Sequence, residues 1–466
     1  MMAEFVKSEK GKPMLLVDGH LFVKDKKIRD KTYWKCHKFS SYCKCRGITV
    51  NEYVTISKEH NHSADPADIE VRKFMEKVKD DAKHTRDSPH YITSTAASNL
   101  SEYGAQGLPT VNSIKRSIRK VRAKENCGLS TPSHRMDIVF SIEYMKTFKN
   151  DDFLLFDSGM EEERILIFST YANLDVLTSC QHLFCDGTFK TVPTLFEQLY
   201  TIHGLKNGFC IPLIFALLPN KKEETYVSFL RSVKELARLS NIDSITTDFE
   251  QAMIKASKNE FSSVKLYGCF FHLGQCLYRK VCNVGLKIGL KYDTDVEFSM
   301  KIRMLLALAF IPEERVVETF EELAEQELSS PELLPVIDYF EDTWLGRPGR
   351  RNARRAPLFA INIWSCFERV KNDLPKTNNL IEGWHRAFSQ QVGAAHPSLW
   401  KFIDALKREQ SLTEIKIAKL NRGEECERST RKYKESANRL KKIVDSFEEY
   451  EDEIKYLRTI AHNLRL

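Results

Sequence analysis

The chain has 466 residues, of which 42% are hydrophobic and 29% are charged. This balance is typical of folded proteins and excludes an intrinsically disordered chain. The longest apolar run, residues 209–219, is shorter than the roughly 18–20 residues that span a bilayer. The first residues contain no apolar segment, so we predict neither a membrane anchor nor a signal peptide.

The net charge of +7 is unevenly distributed along the chain. Residues 1–125 hold 25 Lys and Arg against 16 Asp and Glu, whereas the remainder holds 46 against 48. A basic end attached to a nearly neutral body indicates an anionic partner, and nucleic acid is the commonest such partner. Twelve cysteines without a secretory signal are expected to be buried or metal-bound rather than disulfide-linked.

Taken in chain order, the pattern predicts five regions. Short β-like runs fill residues 1–65, and a basic helical linker follows over 66–149. Residues 150–275 alternate strands and helices, which is typical of an α/β domain built on one sheet. A helical insertion covers 276–375, with an Arg-rich loop at 345–357, and a helical C-terminal region covers 376–466.

Two thiols and two imidazoles lie close together in the first region. Cys36 is followed by Cys43, and His60 and His62 come shortly afterwards. Two sulfur and two nitrogen ligands suit tetrahedral zinc, which would stabilise a module with a small core. Cys45 competes with Cys43 for the second thiolate position. The plainer alternative is buried cysteines with two solvated histidines.

Three acidic residues lie where catalytic side chains could act, although each also has a structural explanation when it is considered alone. Asp186 ends an apolar strand before a glycine and could form a turn. Asp248 separates a strand from a helix and could be an N-cap. Glu382 could be an exposed helical residue beside buried Ile381 and Trp384. Asp186 and Asp248 end separate strands of one predicted sheet, and adjacent strand ends would bring carboxylates close together, which is costly unless a divalent cation binds between them.

The first region resembles the FLYWCH zinc finger, a family that binds DNA and sometimes proteins through a zinc-stabilised β module. The match favours Cys43 over Cys45 as the ligand. The residues that carry it are Leu16, Phe22, Tyr33, Trp34, Cys36, Cys43, His60 and His62.

Residues 150–400 resemble a Mutator-like element (MULE) transposase. The matching stretches are C-D-G-T-F at 185–189, T-D-F-E-x-A at 247–252, C-x-x-H at 269–272 and N-N-x-x-E-x-W-H at 378–385. The resemblance implies a DDE enzyme on an RNase H-like fold. It also implies that Asp186, Asp248 and Glu382 are the catalytic carboxylates and hold two Mg²⁺ or Mn²⁺ ions.

The Cys269 and His272 pair has two interpretations. Its spacing could provide half of a zinc site, with Cys276 and Cys282 as candidate partners. In that family the pair is not part of the set of metal-binding acids, so we favour a structural role or a role next to the active site.

Basic segments supply the candidate DNA contacts. A helix predicted over residues 111–126 places apolar residues on one face, and its charge run could equally serve nuclear import. The loop at 345–357 could grip phosphates or be a solvated linker. The predicted DNA-binding residues are Lys115, Arg116, Arg119, Lys120, Arg350, Arg351, Arg354 and Arg355.

The sequence therefore predicts a nuclear DNA transposase that acts on double-stranded element ends and target DNA. The alternative is a domesticated DNA-binding regulator that keeps the fold without cutting, and a host nuclease with the same metal chemistry is a third hypothesis. The apolar stripe through the C-terminal residues 443–457 predicts a core or an interface, so homo-oligomerisation stays open.

Overall fold

The computed structural model describes most of the chain. Side chains are described throughout these ranges except at 123–125, 286–288 and 431–433. The described residues are 2–8, 11–85, 87–98, 100–125, 132–283, 286–349, 354–424 and 431–464. The chain divides into two compact units, Met1–Thr131 and Pro132–Leu466, while the finer five-part division stays a prediction. No helix of the described part is long and apolar enough to cross a membrane.

The first unit begins with an antiparallel six-stranded sheet whose strands follow each other in chain order. The Ala3 N–H donates to the Glu52 carbonyl at 2.8 Å, which brings the start of the chain beside the last hairpin. Trp34 lies in the core of one face and donates from its indole nitrogen to the Thr49 hydroxyl at 2.9 Å. The strands are β1 (Glu4–Lys7), β2 (Pro13–Val17), β3 (His20–Ile28), β4 (Lys31–Cys36), β5 (Arg46–Val50) and β6 (Tyr53–Ile56).

Four helices complete the first unit, and they share an apolar core of their own. Asp65 caps the first helix by accepting from the Asp68 N–H, and Pro66 occupies its first turn, where no N–H is needed. Ile114 and Ile118 of the basic helix are buried as predicted, whereas Val111 at its start is exposed. The helices are α1 (Pro66–His84), α2 (Pro89–Ala97), α3 (Glu102–Gln106) and α4 (Val111–Glu125).

The second unit is built on a mixed seven-stranded sheet. From edge to edge its order is β13-β12-β9-β10-β11-β8-β7. Strands β9, β10 and β11 form an antiparallel meander, and β12 pairs in parallel with both β9 and β13. The strands are β7 (Leu154–Asp157), β8 (Leu166–Phe168), β9 (His182–Thr188), β10 (Gln198–Lys206), β11 (Phe209–Leu218), β12 (Ser244–Thr247) and β13 (Lys265–Gly268).

Helices accompany this sheet and form the rest of the second unit. Helix α5 precedes the sheet, and α6 to α8 connect its strands. The helices are α5 (Ile142–Met145), α6 (Tyr171–Thr178), α7 (Glu223–Ala237), α8 (Gln251–Glu260), α9 (Phe270–Asn283), α10 (Leu286–Thr294), α11 (Val296–Ala307), α12 (Val316–Gln326), α13 (Leu334–Phe340), α14 (Ile361–Trp364), α15 (Phe367–Lys371), α16 (Asn379–Val392), α17 (Leu399–Asn421), α18 (Arg431–Asp445) and α19 (Glu453–His462). A π-helical turn, Glu341–Leu345, follows α13.

The C-terminal stripe packs inside the second unit. Phe447, Ile454 and Leu457 are buried in the same apolar cluster that extends from the sheet. The Tyr456 hydroxyl donates to the Phe310 carbonyl at 2.7 Å, which fixes α19 against the preceding helices. The mixed α/β class, the N-terminal β-rich module and the helical C-terminal region are confirmed.

Candidate functional sites

The four predicted zinc ligands meet in the first unit. Cys36 ends β4 and Cys43 lies in the turn after it, while His60 and His62 follow β6. Their ligand atoms all lie within 4.8 Å of one another. Cys36 Sγ is 3.3 Å from His62 Nε2, and Cys43 Sγ is 3.4 Å from His60 Nδ1. Two sulfur and two nitrogen donors in this arrangement fit tetrahedral Zn²⁺.

Burial keeps two groups of this Cys–His cluster in their neutral forms. Burial raises the pKa of the Cys36 thiol to about 11. Burial, and then the neighbouring His20 and His62, lower the pKa of His60 to about 4. The imidazole is therefore already in the neutral form that a metal binds, and a bound zinc ion would keep the thiols deprotonated.

Cys45 lies outside the Cys–His cluster. Its thiol donates to the Lys58 carbonyl at 2.8 Å, and this contact holds the segment after β6 against β5. The choice between Cys43 and Cys45 therefore favours Cys43, whose sulfur faces His60. His20 is a neighbour that sequence reasoning missed: its ring stacks on that of His60 with centroids 3.7 Å apart.

The second unit brings Asp186 and Asp248 to one edge of its sheet. Asp186 lies near the end of β9, opposite Thr201 of β10, and Asp248 directly follows β12. Because β9 and β12 are parallel neighbours, their carboxyl ends meet at the same edge. The pKa of Asp248 is raised, first by burial and then by the charge of Asp186.

Glu382 reaches this edge from α16. Ile381 and Trp384 are buried on the inner side of the helix, which leaves Glu382 half-buried beside them. Burial raises the pKa of Glu382, and the charge of Asp186 raises it further. Within the described residues these three carboxylates are not gathered as tightly as the Cys–His cluster, whose donor atoms lie within 4.8 Å of one another. We call Asp186, Asp248 and Glu382 the acidic centre.

His272, on α9, lies among these acids. Its Nε2 is 3.8 Å from Glu382 Oε1. Burial alone would lower the pKa of His272, but Cys269, Asp186 and Asp248 outweigh that effect and raise it to about 9. The imidazole is therefore positively charged at neutral pH and offsets part of the negative charge of the centre.

Cys269 links two elements that carry the site. Its sulfur accepts from the backbone N–H of Asn378 at 3.2 Å, which ties the start of α9 to the start of α16. In the described chain, neither Cys269 nor His272 belongs to a group of three metal-ligand side chains. The structural role predicted for Cys269 agrees with its contact with Asn378.

His385 is a site residue that sequence reasoning missed. It lies on α16 three residues after Glu382, and its Nε2 is 3.3 Å from Asp186 Oδ2. An i, i+3 spacing places two helical side chains on neighbouring positions of one face, so this signal was present in the sequence. Helix α16 is itself fixed by the Trp384 indole, which donates to Glu409 of α17 at 2.6 Å.

The predicted DNA contacts differ in their surroundings. On α4, Arg116, Arg119 and Lys120 are exposed and Lys115 is half-buried, and these four form no ion pair with a described residue. Arg122 lies further along α4. It donates to the backbone carbonyls of Thr85 and Asp87, which follow α1, so it stabilises the packing of these segments.

Some arginines of the Arg-rich loop form ion pairs within the protein. Arg354 is mostly buried and donates to Glu341 at 2.8 Å and to Glu321 at 2.5 Å, so its charge is already balanced. Arg355 is exposed. Arg350 and Arg351 lie outside the described residues.

Comparison with known proteins identifies two segments. Residues 5–62 match the FLYWCH zinc finger domain, and residues 182–275 match the MULE transposase domain. Both families recognised from the sequence are confirmed. The first match contains all four residues of the Cys–His cluster, and the second contains Asp186, Asp248, Cys269 and His272 but ends before Glu382.

The curated relatives resemble one part of the chain. The human FLYWCH-type zinc finger-containing protein 1 is 30% identical over 87 residues, which are 18% of this chain and 12% of that protein. The mouse protein of the same name is 32% identical over 76 residues, which are 16% of this chain and 11% of that protein. The chain thus spans about an eighth of the length of these relatives.

Proposed function

We propose that this protein is a DNA transposase that cuts and joins DNA strands with divalent metal ions at the acidic centre. The observation that carries the proposal is the meeting of Asp186 and Asp248 at the carboxyl ends of two adjacent parallel strands. Glu382 joins them from α16, through its contact with His272. The match of residues 182–275 to the MULE transposase domain agrees with this chemistry.

The sheet supports an RNase H-like core for the second unit. An antiparallel meander, β9 to β11, is extended beyond β9 by two parallel strands, β12 and β13. The acids stand where ligands bind in such sheets, at the carboxyl ends of the parallel strands. The long helical segment between β13 and α16 therefore separates Glu382 from Asp186 and Asp248 in the sequence but not in the folded unit.

The residue types suit phosphoryl transfer. Asp186, Asp248 and Glu382 would hold two Mg²⁺ or Mn²⁺ ions, which supply activation of the attacking oxygen and stabilisation of the leaving oxygen. In cleavage, water adds to phosphorus, the bond to the 3′-oxygen breaks, and that oxygen leaves as a hydroxyl. In strand transfer the freed 3′-hydroxyl loses its proton and attacks a phosphorus of the target DNA, the target's own bond from that phosphorus to its 3′-oxygen breaks, and that oxygen leaves as a hydroxyl. His385 orients Asp186, and His272 balances charge beside Glu382.

The first unit binds DNA in this proposal. The Cys–His cluster stabilises the β module with zinc, and α4 presents Arg116, Arg119 and Lys120 to solvent with no ion-pair partner among the described residues. Such cations replace the counterions of the duplex backbone. The protein acts in the nucleus in this proposal, with transposon ends and target duplex as partners, and it works on paired ends as a homo-oligomer.

The test is nicking of supercoiled plasmid in Mg²⁺ or Mn²⁺ by wild type, Asp186→Asn and Asp248→Asn. Asp243→Asn is a matched control, because Asp243 is exposed and lies at the opposite end of β12. We expect cleavage by the wild type and the control, and loss of cleavage in both other variants. Equal cleavage by either of those variants would contradict the assignment of the acidic centre.

A different outcome would favour the non-cutting regulator. Protein that is folded, zinc-loaded and bound to duplex DNA could leave plasmid intact under every metal condition. The same assay repeated on DNA carrying two copies of the element end separates a regulator from an enzyme that requires paired ends. Absence of cleavage there as well would overturn the transposase proposal.

A further inference from the structure

One face of the zinc-finger sheet carries a concentration of cations that the catalytic proposal does not use. The opposite face packs its core around Trp34 and the Cys–His cluster. On the cation-bearing side, an apolar cluster of β1 to β3 packs against Ile69 of α1. The part formed by β3 to β6 has no such cover from the described helices. We call this part the open sheet face.

The strand register defines which side chains share this face. Directly paired residues of antiparallel strands project to the same side. One row across the strands is Lys26, Tyr33, Ile48 and Thr55, and the next is Ile28, Lys31, Val50 and Tyr53. Ile28 is 49% exposed and Tyr53 is 66% exposed. The open sheet face therefore alternates cations with exposed apolar and aromatic groups.

Aromatic rings hold the cations in place. Phe39, in the turn after β4, lies under three of them: the Lys44 nitrogen is 4.7 Å, the Arg46 guanidinium 5.0 Å and the Lys35 nitrogen 5.9 Å from its ring centroid. Lys26 lies 5.4 Å from the centroid of Tyr33. Contacts of this kind favour ordered cations over fully mobile ones.

The charge of the face is only partly balanced. Asp25, at the bulge of β3, pairs with Lys35 at 3.3 Å and with Arg46 at 3.1 Å. Lys26, Lys31 and Lys44 form no ion pair with a described residue. Because Asp25 is shared between two cations, the face keeps an excess of positive charge, which attracts a polyanion.

We propose that the open sheet face binds the phosphate backbone of double-stranded DNA. This inference rests on the proposed DNA-binding function and names the surface of the finger that performs it. The cations lie on β3, β4 and β5 and in the turn between β4 and β5, over about two strand spacings of roughly 4.8 Å each, and so contact phosphates along one side of a groove. Tyr33 and Phe39 lie beside these cations and contact sugars.

The test uses the full chain and a 25-base-pair duplex of random sequence, with affinity measured by fluorescence anisotropy over a range of salt concentrations. The variant Lys26→Ala/Lys31→Ala/Lys44→Ala removes three unpaired cations from the face. We expect its affinity to fall about tenfold or more, and its log–log salt slope to decrease by about two to three, because each phosphate contact contributes about 0.9.

A matched control is Lys12→Ala/Lys58→Ala/Lys77→Ala, which removes three exposed lysines of the same unit that lie outside the face. We expect its affinity to change less than about twofold. Bound zinc, measured in every variant, shows that the finger is folded.

The outcomes separate this inference from the proposed function. If the wild type binds duplex and the Lys26/Lys31/Lys44 variant keeps both affinity and salt slope, the inference is wrong, and an acidic protein becomes the better ligand for the face. If the wild type itself does not bind duplex, the proposed DNA-binding function fails and the inference falls with it. An equal loss in the control variant would also overturn the inference, since net charge alone would then explain the effect.

Discussion

The Cys–His cluster and the acidic centre are assembled in opposite ways. The cluster takes its four ligands from residues 36–62, and the strands β4 to β6 alone bring them together. The acidic centre takes its carboxylates from β9, from the end of β12 and from α16. The first site therefore depends on one small module, whereas the second depends on the packing of the whole second unit.

The two sites also differ in how their side chains are gathered. In the Cys–His cluster the four donor atoms lie within 4.8 Å of one another. In the acidic centre, His272 Nε2 lies 3.8 Å from Glu382 Oε1 and His385 Nε2 lies 3.3 Å from Asp186 Oδ2. Loss of a metal ligand and loss of its neighbour should therefore have different effects.

The largest effect is expected for Glu382→Gln. Loss of one carboxylate charge from the acidic centre should reduce the cleavage rate by about a hundred- to thousandfold, because positioned charges are the main source of catalysis in phosphoryl transfer. Single-turnover cleavage measures the rate, and duplex affinity should stay within about twofold. Gln390→Ala, on an exposed position of the same helix, is the control. Full activity of Glu382→Gln would remove this residue from the centre.

His62→Ala should disrupt the first unit and leave the second folded. Zinc binding contributes about 10 kcal/mol or more to the folding of small zinc modules, so loss of one ligand should release the ion and melt the β1 to β6 sheet. Metal analysis and hydrogen exchange measure the two effects.

Cys45→Ser is the matched control for the zinc site. The serine hydroxyl can still donate to the Lys58 carbonyl, so zinc content should be unchanged. If Cys45→Ser lost its zinc while His62→Ala kept it, the ligand set would be wrong.

His385→Ala should weaken the acidic centre through Asp186. Removal of a side chain that orients a metal ligand typically costs about ten- to a hundredfold in metal affinity or activity. We expect the Mn²⁺ concentration for half-maximal cleavage to rise by that factor, with saturating Mn²⁺ restoring much of the rate. A purely structural role would lower the rate without moving the metal dependence.

The smallest effect concerns the support of α16. Trp384→Phe removes the indole N–H that donates to buried Glu409 and should destabilise the second unit by about 1–3 kcal/mol. Trp400→Phe is a matched control, since Trp400 is equally buried but its indole nitrogen has no hydrogen-bond partner in the described part of the chain. Denaturant unfolding measures both. Equal destabilisation by the two substitutions would show that only packing matters at Trp384.

Much of the local structure could be predicted from the sequence. The β-like run over residues 14–23 is confirmed as strand, although the structure divides it into β2 and β3 with a turn at Asp18 and Gly19. Ile381, Trp384 and Phe388 recur at helical spacing and are buried on α16. These predictions succeed because the side-chain periods of strands and helices depend only on neighbouring residues.

Other features escaped prediction because they depend on residues far apart in the chain. Nothing near Arg354 indicated that Glu321 would form an ion pair with it, and nothing near Cys45 indicated that the Lys58 carbonyl would accept a hydrogen bond from its thiol. Which of several equivalent partners a side chain contacts depends on distances that are set only in the folded chain. The spacing of His385 from Glu382 could have predicted that His385 lies at the site, but it could not have predicted the contact with Asp186.

The sequence by itself determined the candidate zinc ligands apart from the choice between Cys43 and Cys45, the two family resemblances and the amphipathic basic helix α4, because these depend on residue types at short spacings. Only the tertiary structure decided that β9 and β12 are parallel neighbours, and so that Asp186 and Asp248 meet at one edge. It likewise left Lys26, Lys31 and Lys44 of the open sheet face without an acidic partner among the described residues. Strand order and charge pairing are set by packing between distant segments, which no local pattern encodes.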